Sequence, residues 1–282
     1  MKRTDIYILF FFLLFFSACK NHKPKLPDTY LRQANKLFQE SNTTLAKTYL
    51  DSVHILFPEN IDARKKAVHM MYKVEFKEEN RNLQYYDSVF ALRKRNLDSC
   101  RSKFVLVRDT IYENSAVYVH VEQKNNDYPR TRLKCEIAMN GDVTLTSVYG
   151  GQVPIKHTSF KVSSGDVFAE TLRVPIDEAF NYSFKDLGVT WEFVTYVPKV
   201  QNGTLLFIYK YADKNIKVTL NGDHKYIFYL EKLDKSIIKE SVDFAIIVRD
   251  VDLLKRNISK SKAKIELLRK RMANQKQLQK HL

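Results

Sequence analysis

The stretch WEFVTYVPKVQNGTLLFIYKYADKNIKVTLNGDHKYIFYL, residues 191–230, predicts the central part of the fold. Its runs of aromatic and β-branched residues alternate with polar positions, which is typical of half-buried strands. Asn202-Gly203 and Asn221-Gly222 separate these runs and fit the positive φ angles of two-residue hairpin turns. We therefore expect an antiparallel meander with strands over residues 191–197, 204–211, 216–220 and 224–230.

The same alternation of apolar and polar residues extends towards the amino terminus as far as residue 103, with a third turn signal at Asn140-Gly141. Further candidate strands cover residues 104–107, 117–122, 132–139, 143–148 and 160–162. About nine short strands at this spacing predict an antiparallel, β-sandwich-like domain over residues 103–232. The chain lacks the strand–helix alternation of parallel sheets, which argues against a nucleotide-binding α/β fold.

Residues 28–102 contain no glycine and a single proline, Pro58, and their apolar residues recur at helical spacing. We expect four helices here. The first begins at Asp28 and the second ends at Pro58, while the third and fourth cover residues 62–74 and 82–96.

An internal repeat lies within this helical region, since residues 49–56 match residues 85–92. The first unit resembles a tetratricopeptide repeat (TPR), and the resemblance implies stacked helical hairpins. The residues that carry it are Tyr30, Ala34, Leu37, Ala46, Leu50 and Pro58. Two repeats are fewer than the roughly three that usually stand alone, so we expect another part of the chain to cover them.

Residues 233–282 show a heptad pattern without glycine or proline, which predicts one long helix of the coiled-coil type. One seam carries Ile237, Phe244, Val251, Ile258, Ile265 and Met272, and the other carries Ile247, Leu254, Ser261 and Leu268. We expect this helix to pack on the amino-terminal helices through Phe244, Ile247, Val251 and Leu254. The whole chain is thus predicted to be an α+β protein.

The first residues have the order of a cleavable export signal. Lys2 and Arg3 precede an apolar run over residues 6–16, which is shorter than the ~20 residues of a membrane-spanning helix. Ser17-Ala18-Cys19 then resembles the lipobox of bacterial lipoproteins. This resemblance implies a signal peptide over residues 1–18, lipid on Cys19 and a tether over residues 19–27. A plain secretory signal is the alternative.

In such lipoproteins, lysine rather than aspartate after the modified cysteine directs the protein to the outer membrane. Lys20 occupies this position. The short tether also lacks an acidic cluster resembling a surface-export signal. We therefore expect a lipid-anchored protein of the bacterial envelope, at the outer membrane and facing the periplasm.

The formal net charge of +15 predicts an anionic partner such as phospholipid head groups, lipopolysaccharide phosphates or an acidic polymer. Export argues against nucleic acid, and the alternative is that the lysines only keep the protein soluble. The carboxy-terminal 28 residues hold a single acid, Glu266. Their cations predict a contact with an anionic envelope component, and the candidates are Lys255, Arg256, Lys260, Lys262, Lys264, Arg269, Lys270 and Arg271.

The sequence offers little catalytic chemistry and predicts no cofactor, metal ligand or catalytic set. Cys100 and Cys135 could form one disulfide in an oxidising compartment, or remain two buried thiols.

His157 could act in acid/base chemistry with a carboxylate such as Asp166 or Asp186. We favour a role in which its hydrogen bonds hold a loop.

Trp191 and Glu192 are neighbours in a predicted strand, so their side chains point to opposite faces. We expect Trp191 in the core and Glu192 outside.

Together these observations predict a membrane-anchored, non-enzymatic scaffold or binding protein, with a protein or an anionic envelope component as its partner. The alternatives are a carbohydrate-binding lipoprotein of a glycan-uptake system and an envelope hydrolase centred near His157. A flat platform of exposed aromatic rings would favour the first alternative. A deep pocket joining His157 to a carboxylate would favour the second, and the oligomeric state is left open.

Overall fold

The computed structural model describes residues 26–108, 116–127, 129–176 and 179–280, with side chains up to residue 275. Over these residues the protein is α+β, with six helices and two antiparallel sheets. The helices are α1 (Pro27–Gln39), α2 (Thr43–Leu56), α3 (Ile61–Cys100), α4 (Val121–Asn125), α5 (Thr204–Lys210) and α6 (Lys232–Lys280). The strands are β1 (Phe104–Arg108), β2 (Ala116–His120), β3 (Arg132–Ala138), β4 (Val143–Gly151), β5 (Ser159–Ser164), β6 (Val167–Glu170), β7 (Asn181–Asp186), β8 (Val189–Tyr196), β9 (Lys217–Asn221) and β10 (Tyr226–Tyr229).

The chain divides into two compact units whose boundaries fall inside the two long helices rather than between elements. The helical unit comprises the residues up to Leu83 together with those from Ser261 onward. The β unit runs from Gln84 to Lys260. The predicted boundaries at residues 102–103 and 232–233 differ from this division because each long helix contributes residues to both units.

In the helical unit, α1 and α2 form a hairpin that begins with clear local signals. Pro27 occupies the first turn of α1, where its missing N–H costs no hydrogen bond. The Asn42 side chain accepts a hydrogen bond from the Leu45 N–H and so caps α2. Ala34 and Ala46 are fully buried, and their small side chains allow the two helices to approach closely.

The predicted third and fourth helices form one 40-residue helix, α3. No glycine or proline occurs between residues 61 and 100, so nothing in the sequence ends the helix earlier. The second copy of the internal repeat, residues 85–92, lies inside α3 rather than at a helical hairpin. The prediction of a second hairpin was wrong because the repeat was weighed more heavily than the absence of a helix-ending residue.

In the β unit, the six-stranded sheet has the order β1-β2-β3-β4-β8-β7 and the four-stranded sheet the order β10-β9-β5-β6. Both sheets contribute to one apolar core. Phe160 of β5 meets Tyr196 of β8 edge-on, with ring centroids 4.9 Å apart. Each sheet therefore has one face on this shared core and an opposite face that we call its outer face.

The Asn-Gly signals gave mixed results. Asn140-Gly141 lies in the connection from β3 to β4, and Gly141 has the predicted positive φ, 82°. Asn221-Gly222 lies in the connection from β9 to β10, but neither residue has a positive φ. Neither connection is the predicted two-residue hairpin, because the last paired residues are Ile137 with Val143 and Leu220 with Tyr226. The prediction for residues 204–211 was wrong, because they form helix α5, which begins after Gly203. The apolar run of α5 is too short for periodicity to separate a buried strand from a buried helix.

The long carboxy-terminal helix α6 is confirmed, but its first part packs differently from the prediction. Phe244 stacks on Phe104 of β1, with ring centroids 4.1 Å apart, and meets Tyr118 of β2 at 5.2 Å. This contact with the six-stranded sheet was not predicted. Helix α3 also contributes within the same unit, because Leu97 packs against the core that contains Phe244 and Arg93 lies 3.2 Å from Asp250 of α6.

The distal part of α6 does pack on an amino-terminal helix, as expected. Within the helical unit, Ile265 and Leu268 are buried, and Ser261 donates a 2.9 Å hydrogen bond to Glu79 of α3. Ser261 is the polar residue among the predicted seam positions. Its hydroxyl satisfies a carboxylate on the facing helix, which explains a polar residue at a buried seam position.

Candidate functional site

Three polar side chains meet in the core of the β unit. His157 lies between β4 and β5; its Nε2 is 2.7 Å from Oγ of Ser147, and its Nδ1 is 2.7 Å from Oε2 of Glu192. We call this the Ser–His–Glu cluster. With a proton on Nδ1, the ring donates to Glu192 and accepts from the Ser147 hydroxyl, which is the order of groups in a nucleophilic triad. Ser147 and His157 are fully buried, however, and Glu192 is 3% exposed.

The Glu192 carboxylate also accepts hydrogen bonds from three consecutive backbone N–H groups. Oε1 lies 2.7 Å from the nitrogen of Ile155 and 2.8 Å from that of Lys156, and Oε2 lies 3.0 Å from that of His157. Burial alone would raise the pKa of Glu192, but these hydrogen bonds and the His157 ring lower it below its ordinary value. The carboxylate is thus held ionised and well supplied with donors.

The segment held by Glu192 also bonds to the four-stranded sheet. The Thr158 N–H donates to the Asn221 carbonyl over 2.9 Å, and the Asp223 N–H donates to the Ile155 carbonyl over 2.7 Å. Glu192 belongs to the six-stranded sheet, so the segment connects the two sheets. The Ser–His–Glu cluster therefore acts as a structural joint of the β unit.

These contacts decide the predictions made for His157. Its role in holding a loop agrees with the structure, and its carboxylate partner is Glu192 rather than Asp166 or Asp186, both of which are exposed. The orientation predicted for Trp191 and Glu192 was wrong, because Glu192 points into the core and Trp191 to the outer face. The apolar character of Trp191 and the charge of Glu192 suggested that Trp191 is the buried one. The inward orientation of Glu192 is explained by the buried hydrogen-bond donors that its carboxylate meets.

The outer face of the six-stranded sheet carries an open groove of about 240 Å³, which we call the aromatic groove. It is lined by Asp127, Pro129, Arg130, Arg132, Lys134, Val148, Phe184, Asp186, Trp191 and Phe193. Trp191 lies directly against Gly150, where an added Cβ would be 2.2 Å from the indole ring. Tyr182 and Phe184 stack on Phe193, with ring centroids 5.0 and 5.9 Å away and interplanar angles of 3° and 12°.

Phe193 of the groove stacks with Phe184 and with the neighbouring Tyr182, so these rings form a stacked wall rather than the flat platform considered from the sequence. Parallel rings at 5–6 Å cover part of each other's faces. Trp191 is fixed by the glycine beneath it. The groove therefore presents a rigid apolar side that needs little rearrangement to receive a ligand.

The opposite side of the aromatic groove is cationic, but each cation has an acidic partner. Arg130 forms a bidentate pair with Asp234 at 2.6 and 2.9 Å. Arg132 and Lys134 both pair with Asp127, the latter at 2.6 Å. Burial would raise the pKa of Asp127, but the hydrogen bonds and charges of Lys134 and Arg132 lower it. The groove thus offers polar groups with little uncompensated charge.

The predicted cationic tail is largely partnered by groups that sequence reasoning did not consider. Lys264 lies 3.2 Å from Glu79 of α3, and Arg269 and Arg271 lie over the rings of Phe76 and Tyr72. Within α6, ion pairs join Lys270 to Glu266 and Arg256 to Asp252. Among the described residues, five of the eight candidate cations have no ion pair. Arg269 and Arg271 have only the ring contacts, and Lys255, Lys260 and Lys262 have neither an ion pair nor a ring contact. Counting acids only within the tail therefore overstated its free charge.

Both remaining cysteines are free thiols, so the structure does not contain the disulfide considered from the sequence. Cys135 is buried on the inner face of β3, and burial raises the pKa of its thiol to about 12. Cys100 is partly buried against the same core at the end of α3. Cys135 thus matches the alternative of a buried apolar thiol. Cys19 lies outside the described residues.

Sequence reasoning missed the aromatic groove because β7 was not recognised. Its alternation, with Tyr182 and Phe184 on one face, was the available signal.

The described part of the chain holds no group of three or more potential metal-binding His, Cys, Asp or Glu side chains. Over the same residues, no helix has the length and apolar character to span a membrane. Comparison with family models, curated proteins and solved structures gives no match to this chain.

Proposed function

We propose that this protein is a lipid-anchored, non-enzymatic binding protein of the bacterial envelope that takes its ligand in the aromatic groove. The observation that carries this proposal is the wall of Trp191 and Phe193 facing Arg132 and Lys134, whose charges are partly compensated by the Asp127 carboxylate that they share. An apolar wall with a few fixed polar groups is the usual composition of a binding site for a small molecule. Sheet strands hold such a site more precisely than loops do.

The ligand that we propose is an uncharged saccharide, which would pack on single rings of the wall such as Trp191 instead of on a flat platform of several rings. A sugar ring packs its apolar face on an aromatic ring, and its hydroxyls bond to arginine and carboxylate groups such as Arg132 and Asp127. The groove volume of about 240 Å³ is below the ~300–1,000 Å³ of drug-sized sites, which favours a single sugar residue. This corresponds to the carbohydrate-binding alternative inferred from the sequence.

The binding experiment uses Trp191→Ala, because Trp191 supplies the largest ring of the groove. We expect the full-length protein to bind a neutral oligosaccharide from a mixed glycan panel, and Trp191→Ala to weaken binding by about 30-fold, or about 2 kcal/mol. The matched control is Phe180→Ala, an exposed aromatic outside the groove lining. Equal loss in both variants, or no saccharide binding at all, would contradict the proposal.

The lipid anchor rests on the lipobox resemblance at Ser17-Ala18-Cys19. We propose the outer membrane, facing the periplasm, as its location. Cys19→Ser should abolish labelling by an acyl-chain probe and release the protein from the membrane fraction. Unchanged labelling of this variant would refute the anchor while leaving the groove experiment unaffected.

Finer structural assignments belong to the same proposal. We interpret the α1–α2 hairpin as TPR-like, because Ala34 and Ala46 pack where this repeat has small residues. We interpret the β unit as β-sandwich-like, because its two sheets share one core. An anionic envelope component remains our proposed partner for the tail of α6, through Lys255, Lys260 and Lys262.

A hydrolase is the second candidate, and the geometry of the Ser–His–Glu cluster is the observation that favours it. Against it, Ser147 and His157 are fully buried, so a substrate would reach Ser147 only after the core of the β unit opened. A fluorophosphonate probe should therefore leave Ser147 unlabelled in the folded protein. Labelling that disappears in Ser147→Ala would replace the binding proposal with the hydrolase.

A further inference from the structure

The outer face of the four-stranded sheet carries a second groove, which we call the lysine groove. Its volume is about 470 Å³. It is lined by Lys161, Ser163, Gly165, Asp166, Val167, Phe168, Glu170, Lys217, Thr219, Asn221, Lys225 and Ile227. Most of these side chains are polar, in contrast to the aromatic wall on the other sheet.

The strand register explains why these side chains converge. Lys161 of β5 lies opposite Glu170 of β6 on one side and Thr219 of β9 on the other. In the neighbouring row, Ser163 lies between Phe168 and Lys217. Because side chains alternate along a strand, the residues between them face the core, and the outer face becomes continuous and polar.

The cations of the lysine groove are not neutralised as those of the aromatic groove are. Among the described residues, Lys161, Lys217 and Lys225 form no ion pair, although Glu170 stands opposite Lys161. The Lys161 ammonium lies 3.7 Å from the ring centroid of Phe168, which fixes it by a cation–π contact. Glu170 instead accepts a 3.0 Å hydrogen bond from Asn221.

We propose that the lysine groove binds an acidic saccharide, meaning a carboxylate or phosphate carried on a hydroxylated scaffold. The three lysines supply donors for the anion, and a lysine ammonium binds such a group as a point charge. Asp166, Glu170 and Thr219 supply acceptors for hydroxyl groups, which a bare inorganic anion would leave unused. This inference does not depend on the aromatic groove, because it concerns another sheet face and another ligand charge.

The experiment uses the full chain carrying Cys19→Ser, so that an acyl anchor does not contribute to vesicle binding. Calorimetry with trigalacturonate tests the free acidic saccharide. Galactotriose is its neutral counterpart, and any binding of it in the aromatic groove should be unchanged by substitutions in the lysine groove. Co-sedimentation with phosphatidylcholine vesicles, with and without phosphatidylglycerol, tests a membrane headgroup as the source of the same chemistry. The groove variant is Lys161→Gln/Lys217→Gln, and the matched control is Lys199→Gln/Lys239→Gln, whose lysines are exposed and lie outside the groove.

We expect trigalacturonate to bind at low salt and to weaken as salt rises, because exposed charges are screened over ~8 Å at physiological ionic strength. The groove variant should bind about 25-fold more weakly, or about fivefold for each lysine, and the control variant within twofold of the parent chain. Binding only to phosphatidylglycerol vesicles, with the same dependence on Lys161 and Lys217, would support the inference with a lipid headgroup as the source. Binding to neither probe, or binding that both variants reduce equally, would overturn it.

Discussion

The aromatic groove and the lysine groove lie on the outer faces of two sheets that share one core, yet they differ in how their charges are compensated. On the six-stranded sheet, Asp127 pairs with both Arg132 and Lys134. On the four-stranded sheet, Lys161 has an aromatic neighbour, Phe168, in place of an acidic partner. Each groove lining contains three cations and two acids, so the pairing of each cation, rather than the number of charges, sets the charge that a ligand meets.

This difference separates two kinds of recognition within one unit. A neutralised cation orients a ligand by hydrogen bonds, and its contribution depends little on salt. An unpaired lysine attracts anions over a longer range, and salt weakens that attraction. The Ser–His–Glu cluster lies between these faces and belongs to neither, because it joins the sheets on which both depend.

The largest expected effect comes from Glu192→Ala, which removes that joint. The variant leaves the His157 ring and three backbone N–H groups without their acceptor, and we expect a loss of about 3–5 kcal/mol in the free energy of unfolding. Both grooves should weaken together because the segment linking the sheets is released. Urea denaturation monitored by tryptophan fluorescence measures this. A variant as stable as the parent would show that the joint is not structural.

A smaller effect, about 1–3 kcal/mol, is expected for Glu192→Gln, and it should depend on pH. Because folding lowers the pKa of Glu192, the carboxylate adds stability above its unfolded pKa of about 4.3 and loses that contribution as pH falls through the lower folded value. The stability difference between parent and Glu192→Gln should be largest near pH 7 and shrink below about pH 4. Urea denaturation between pH 3 and 7 tests this, and a pH-independent difference would contradict it.

Asp127→Asn tests whether ion pairing sets the charge of the aromatic groove, because it deprives Arg132 and Lys134 of their shared carboxylate. In the Lys161→Gln/Lys217→Gln background, which weakens the lysine groove as a competing site, the chain should then bind trigalacturonate about fivefold more tightly than with Asp127 present. This is a change of about 1 kcal/mol, and the binding should weaken with salt. Asp186→Asn is the control, because it changes the net charge of the same groove equally without releasing a cation. Equal gains in the two variants would mean that net charge, not pairing, decides.

The smallest expected effect concerns ligand binding in the lysine groove. Phe168→Leu keeps an apolar side chain but removes the ring beneath the Lys161 ammonium. A cation–π contact at an exposed site contributes about 0.5–1 kcal/mol, so trigalacturonate binding to the lysine groove should weaken about two- to fivefold. Phe180→Leu, in the turn before β7, is the matched control for losing an exposed aromatic. Unchanged affinity in Phe168→Leu would remove the ring from the site.

The broad architecture could be predicted because its signals are local. Helical spacing without glycine or proline predicted the helices at both ends, and alternation with turn dipeptides predicted most of the central strands. Residues 204–210 were assigned to a strand because a seven-residue apolar run carries no periodicity that separates the two structures. The merging of two predicted helices into α3 shows that an internal repeat is weaker evidence than an uninterrupted helical sequence.

The candidate sites could be predicted only in part, because they depend on which side chains meet across strands. His157 stood out through its polar neighbours, but its partners are 10 and 35 residues away in sequence. Asp127 and Glu79 likewise neutralise cations that looked unpaired when each segment was considered alone. No single-sequence pattern records such pairs.

The sequence by itself determined the secondary structure of most segments, the division into helical and strand-rich regions and the excess of positive charge. These properties follow from local backbone preferences and from composition. Tertiary structure decided which face of β8 is buried, which cations keep their charge and where the two grooves lie. The physical reason is that burial and ion pairing depend on distances between residues far apart in the chain, and folding alone sets those distances.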